Sequence, residues 1–213
     1  MRLKDINIFC RSDDKQEDTK LVRSESAHVA DMFVRLMRYY ENDSCKMLNI
    51  CMDTFADSES LEQQESFSIV HIPFDKCSYL SLDNSEKSSF WLRTIMDAVR
   101  FYGCERGWDM SFFERVKKQI TESGFVNHFR YSKFVTSPDK KHKAAVVVEQ
   151  SINCAKLYLV IYKGRKELCR MRYASSSAAW YSYTDKLGSV EWQDENEVII
   201  RDRKGNELFR YRL

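Results

Sequence analysis

The spacing of apolar residues changes character once along this chain, near residue 125, and no other feature constrains the fold as much. Before that point the clearest pattern is helical. Val29, Met32, Phe33, Leu36, Met37 and Tyr40 fall at i, i+3, i+4, i+7, i+8 and i+11, a single stripe on one helix face. Ser26 is placed to cap that helix, which is expected to start at Ala27 and to stop near residues 42–44. Leu92, Ile95, Met96 and Val99 mark a second helix beginning at Ser88 or Ser89. Ser111 and Glu114 form an S-x-x-E capping box for a third. Its apolar face is Phe113, Val116 and Ile120, and Gly124 stands where a C′ glycine belongs. Residues 3–10, 46–54, 67–74 and 79–82 read as strands, 11–25 as a mobile polar loop and 56–66 as an acidic loop.

After residue 125 the period becomes that of strands. Residues 126–135, 143–150, 156–162, 167–173, 197–202 and 207–212 all read as strands. Turn signals separate them: Ser137-Pro138-Asp139, Lys163-Gly164-Arg165 and Lys204-Gly205-Asn206. In the last strand Phe209 and Tyr211 alternate with Arg210 and Arg212, one face dry and one wet. Helices followed by a run of strands argue an α+β fold: a mixed α/β part with three main helices over 1–125, then an antiparallel meander over 126–213. No linker-like stretch lies near 125, and two Pro and six Gly in the chain fit a compact fold in which the two parts pack closely.

With 213 residues, 43% hydrophobic and 13% aromatic, the chain can build a core without metal or disulfide staples. The seven Cys are odd in number, irregularly spaced and free of CxxC pairs, so they read as reduced, mostly buried thiols. Residues 1–10 carry Arg2, Lys4 and Asp5 and lack an apolar signal region. No stretch approaches the roughly 20 apolar residues that span a bilayer. A cytoplasmic protein with no membrane partner is therefore expected.

Catalytic motifs are tested and set aside. Ser137-Pro138-Asp139-Lys140 matches S-x-x-K, but it lies between strands and reads as a turn. Pro138-Asp139 lacks a following D/E-x-K at nuclease spacing. His28, His71, His128 and His142 form no pair at ligand spacing; Cys45 and Cys51 with His71 could meet by folding, although the spacing does not demand it. Phosphate-cradling loops and the hydrolase elbow are missing, and no local signature marks a cysteine–histidine nucleophile. On this reading no catalytic residue, metal or cofactor is expected, and the chain is not an enzyme.

Binding features stand out more. Net charge runs from −5 over 1–65, through 0 over 66–125, to +7 over 126–213. Arg170 and Arg172 share a strand face, as do Arg201 and Arg203, and Arg210 and Arg212. If those strands are neighbours, the face is Arg-rich and suits nucleic acid or an acidic partner. The loop 174–188 carries Trp180, Tyr181 and Tyr183 among small polar residues, a composition suited to a contact surface. The acidic loop adds Asp57, Glu59, Glu62 and Glu65.

One resemblance bears on the partner. The run from Ser137 to Val148, a turn opening an apolar strand, and the run from Glu191 through Trp192 to Ile200 have the texture of two β elements. The first is similar to the S-P-D-G-K turn of β-propeller blades, with Lys140 in place of the glycine, but the chain has no repeat. Together they resemble small bacterial proteins that end in a β-sheet and accompany secreted polymorphic toxins as immunity proteins. The resemblance covers residues 126–213. It implies a cytosolic inhibitor whose partner is a cognate toxin domain, and carries over no binding residue; the contact residues expected from the loops and charges themselves are Trp180, Tyr181, Tyr183, Asp57, Glu59, Glu62, Arg170 and Arg172. The alternatives are a hydrolase or nuclease with a site invisible in sequence, and a nucleic-acid binder using the basic sheet.

Overall fold

The computed structural model describes residues 2–38, 40–42, 44–64 and 67–213, with Lys15 described in its main chain only. The chain divides into two compact units, Met1–Val126 and Asn127–Leu213. The first is mixed α/β with three main helices, and the second consists of antiparallel sheets.

In the first unit the order is β1 (Asp5–Arg11), α1 (Lys15–Leu36), β2 (Met47–Asp53), β3 (Ser60–Gln63), β4 (Phe67–Pro73), α2 (Lys76–Leu80), α3 (Asn84–Gly103) and α4 (Met110–Glu122). The sheet runs β1-β2-β4-β3, with the first three strands parallel and β3 antiparallel at the edge. Alternation along the strands separates two faces. Ile6, Ile8, Cys10, Leu48, Ile50, Met52 and Val70 are buried together with Val29 and Phe33 of α1, Ile95 and Val99 of α3, and Phe113 and Ile120 of α4. Each such aliphatic or aromatic side chain contributes about 1.5–3 kcal/mol when removed from water. The alternate positions carry Asn7, Arg11, Asn49, Cys51, Asp53, Glu62 and His71 on the opposite face.

Several element boundaries differ from those expected. Residues 15–25 are not a loop: α1 starts at Lys15, capped by the Asp14 carboxylate, and Ser26 is buried inside it. Tertiary ties hold this polar half-helix where its composition alone would not. Thr19 donates to the Cys10 carbonyl, Lys76 pairs with the buried Asp18 at 2.5 Å, and Tyr79 and Lys87 both engage Glu25. The helix ends at Leu36; Asp43, in the stretch where its end was expected, lies outside the described residues. Residues 79–82, expected as a strand, are the end of α2 and the turn that follows it, and part of the acidic loop is β3. α3 starts at Asn84 under a reciprocal capping box of Asp83 and Glu86, and α4 is capped by Asp109, which leaves Ser111 inside its first turn. Carboxylates thus take the cap positions assigned to serines. Gly124 does close α4 in the left-handed conformation, φ +64°.

In the second unit β5 (Asn127–Arg130), β6 (Val135–Thr136), β7 (Lys143–Gln150), β8 (Ala155–Lys163) and β9 (Lys166–Ser176) form one sheet. Its order is β5-β7-β8-β9, and β6 also pairs with β7. A second sheet, β10 (Val190–Trp192), β11 (Glu197–Arg201) and β12 (Glu207–Arg212), follows two 3₁₀ turns. Ala144, Val146, Val148, Leu157, Leu159 and Ile161 share a core with Val190, Val198, Ile200, Tyr183 and Leu187. Strands β9 and β11–β12 belong to different sheets, so Arg170 and Arg172 are not in one ladder with Arg201, Arg210 and Arg212.

Candidate metal centre

Parallel register brings three donor groups together at the carboxyl ends of β2 and β4. Cys51 lies directly beside His71, and Arg11 beside Asp53. Asp53 stands two residues beyond Cys51 on the same strand face. Ser60 of β3 pairs with His71, which places Glu62, two residues on, on that face as well. The carboxyl ends of parallel strands are the customary place for ligands in α/β sheets.

Asp53 and His71 are 3% and 7% exposed. The Asp53 carboxylate accepts from the Phe55 amide at 3.0 Å, faces His71 Nδ1 at 3.0 Å and lies 3.5 Å from the Arg11 guanidinium. His71 Nε2 faces the Glu62 carboxylate at 3.0 Å. Burial raises the Asp53 pKa, but the Phe55 amide, His71 and Arg11 outweigh it and hold the group below the usual carboxylate range. Burial, reinforced by the Asp53 charge, pushes the Cys51 thiol up to about 12.

Two chemistries can be weighed for these groups. A thiol, an imidazole and a carboxylate suggest a nucleophilic triad, yet Cys51 is 1% exposed and keeps its proton. Both nitrogens of His71 face carboxylates, so either role, base for the thiol or ligand to a cation, requires the ring to give up one of those contacts. A cation fits better. One ligand atom each from Cys51, Asp53 and His71 lie within 4.8 Å of one another. A tetrahedral ion with ligand bonds of about 2.0–2.3 Å needs ligand separations of roughly 3.3–3.8 Å, so small side-chain adjustments suffice. The mixed sulfur, nitrogen and oxygen set suits zinc or a similar divalent transition ion.

The expected contact residues are distributed over both units. Glu62 belongs to this centre, whereas Asp57 and Glu59 are exposed on the β2–β3 connection; Glu65 lies outside the described residues. Trp180 and Tyr181 are exposed on a 3₁₀ turn, but Tyr183 is fully buried in the core of its unit, which removes it from any contact set. Arg170 forms two bonds to Glu167, and Arg172 is exposed. Cys45, grouped with Cys51 and His71 on sequence, packs in the apolar core, and Asp53 takes its place. The signal available in sequence was the alternation Asn49, Cys51, Asp53, polar or ligating residues on one face of an otherwise apolar strand. Among the described residues no helix is long and apolar enough to cross a membrane. No family model, no curated protein and no solved structure matches this chain.

Proposed function

We propose that the first unit is a metal-dependent hydrolase module whose cation is held by Cys51, Asp53 and His71. The observation that carries this is the convergence of those three donors, buried, at the carboxyl ends of adjacent parallel strands. Catalytic zinc sites hold the ion by three protein ligands and keep the fourth position for water or substrate, and three donors are what this cluster offers. A divalent cation bound there supplies Lewis acidity and an activated water. Glu62, with its side chain 57% exposed and within reach of His71, is the group placed to take up a proton. Arg11, with its side chain 60% exposed beside Asp53, is placed to meet an anionic part of a substrate.

The test is titration of the metal-free protein with Co²⁺, followed by thiolate-to-cobalt charge-transfer absorption, with Zn²⁺ as competitor. One equivalent should bind. Cys51→Ser should abolish the thiolate band, and His71→Gln and Asp53→Asn should each weaken binding at least tenfold. Absence of a thiolate band in the folded protein, or binding indifferent to all three changes, would remove the proposal.

A second reading, an inhibitor that binds a toxin domain, rests on a separate observation. Trp180 and Tyr181 are 40% and 64% exposed, and the Tyr131 ring lies tilted beside Trp180 with centroids 6.2 Å apart. Such aromatics anchor interfaces. Loss of a cognate complex on changing both to Ala, with folding intact, supports it; an unchanged complex excludes these residues as anchors.

A further inference from the structure

The outer face of the β5-β7-β8-β9 sheet carries unbalanced charge of one sign among aromatic rings. Register aligns Arg130, Val147, Tyr158 and Arg172 in one row across all four strands. Ala145, Val160 and Arg170 form the next row, and Lys143 lies opposite Tyr162 beyond it; Ala145, Val147 and Val160 are buried, so the exposed part of these rows is their Arg, Lys and aromatic side chains. The face has two carboxylates, and both are occupied: Glu149 pairs with Lys156 at 3.8 Å, and Glu167 holds Arg170 at 3.0 Å. Among the described residues, Arg130, Lys143 and Arg172 pair with no carboxylate, and all three are exposed. The β8–β9 turn adds Lys163, Arg165 and Lys166 at the edge, likewise exposed. The solvent side of an ordinary antiparallel sheet interleaves both signs; here what remains after pairing is positive.

The aromatic groups give this charge a shape. The Arg130 guanidinium lies 4.1 Å from the centre of the Phe134 ring, and Phe134 meets Tyr162 edge-on at 5.3 Å. Arg170 lies 5.3 Å from the Tyr158 ring centre. Phe134 is 42% exposed. Stacking on rings holds a guanidinium flat while its N–H edge stays available to phosphate. Exposed ring and guanidinium planes are also what unpaired bases stack on. A point-charge surface would serve an acidic protein equally well; exposed guanidinium groups set against aromatic rings favour a strand of bases.

We propose that this face binds single-stranded nucleic acid, with Arg130 and Arg172 on phosphates and Phe134 against a base. The proposal stands on the second unit alone and does not rest on the metal reading, so it is tested with chelator present. Fluorescence anisotropy of the full-length chain with a labelled single-stranded oligonucleotide should show saturable binding in EDTA, weakened by salt. Arg130→Ala combined with Arg172→Ala should reduce affinity at least tenfold and flatten the log–log salt slope by about 1.4, two phosphates at roughly 0.7 each. Phe134→Ala should weaken single-strand binding more than duplex binding. Arg210→Ala in the other sheet, where the guanidinium is held by Glu197 and Glu207, is the control and should change little. Circular dichroism checks that each variant is folded; should the double variant fail to fold, Arg172→Gln alone should flatten the slope by half as much. The proposal is overturned by absence of binding at low salt, by binding that the double variant retains, or by polyglutamate displacing the oligonucleotide at equal charge. The last result would assign the face to an acidic protein.

Discussion

His28 makes the stability of the first unit depend on pH in a direction that the structure fixes. The ring is fully buried on α1, with Nε2 3.1 Å from the Ser88 hydroxyl of α3. Ser88 has one proton and donates it to the Asn84 carbonyl at 2.9 Å, so it must accept from His28 Nε2–H. A neutral ring carries its one proton on Nε2, and Nδ1 is buried with no hydrogen-bond donor facing it. Protonation would place a charge in the core. Burial lowers the pKa to about 4 from the usual 6.5, and the nearby Glu25 backbone opposes this only in part. Because the folded pKa is the lower one, the unfolded chain binds more protons between those values. Stability is then fully present above pH 6.5 and falls as the pH drops toward 4. Between pH 7.5 and pH 5.0 the loss from this group is about 2 kcal/mol. Urea unfolding of the wild type and of His28→Gln at both pH values measures it, since Gln keeps a donor for Ser88 but cannot ionise. The wild type should lose about 2 kcal/mol more than the variant over that interval. Parallel losses in the two proteins would refute the assignment of a neutral, buried His28.

Two further predictions test packing in the second unit. At Gly188 an added Cβ would stand 2.0 Å from the Arg201 carbonyl oxygen, while at Gly205 it would meet nothing within 4 Å at φ +88°. Gly188→Ala should therefore cost at least about 3 kcal/mol in urea unfolding, against about 1–2 kcal/mol for Gly205→Ala, and equal costs would contradict the close approach. Tyr183→Ala should cost about 3–5 kcal/mol and Tyr181→Ala under about 0.5 kcal/mol, because one ring is fully buried and the other 64% exposed; the same denaturation midpoints check both.

Much of the fold was legible because it follows from periodicity. The stripes on α1, α3 and α4 and the strands β7 and β12 are visible as spacing alone. Boundaries that depend on tertiary ties were not visible. Lys15–Glu25 is polar enough to read as loop, and it is helical because Asp18, Thr19 and Glu25 find partners far along the chain or in β1. Tyr181 and Tyr183 are indistinguishable by composition, and the turn geometry at 180–186 sends one inward and one out.

The cluster of Cys51, Asp53 and His71 was hidden for a related reason. Asp53 and His71 are eighteen residues apart, and no motif joins them. They meet only because β2 and β4 are parallel and in one register, Cys51 beside His71. That register is fixed on the opposite face of the sheet, where Ile50, Met52 and Val70 must all reach the core. A slip of one residue in β4 would turn His71 into that core and Val70 out to the polar face. The same alternation that buries the apolar half of each strand therefore assembles the donor groups on the other half. What sequence can offer for such a site is not a motif but a pattern: donor residues at alternate positions near the ends of strands whose remaining positions are apolar.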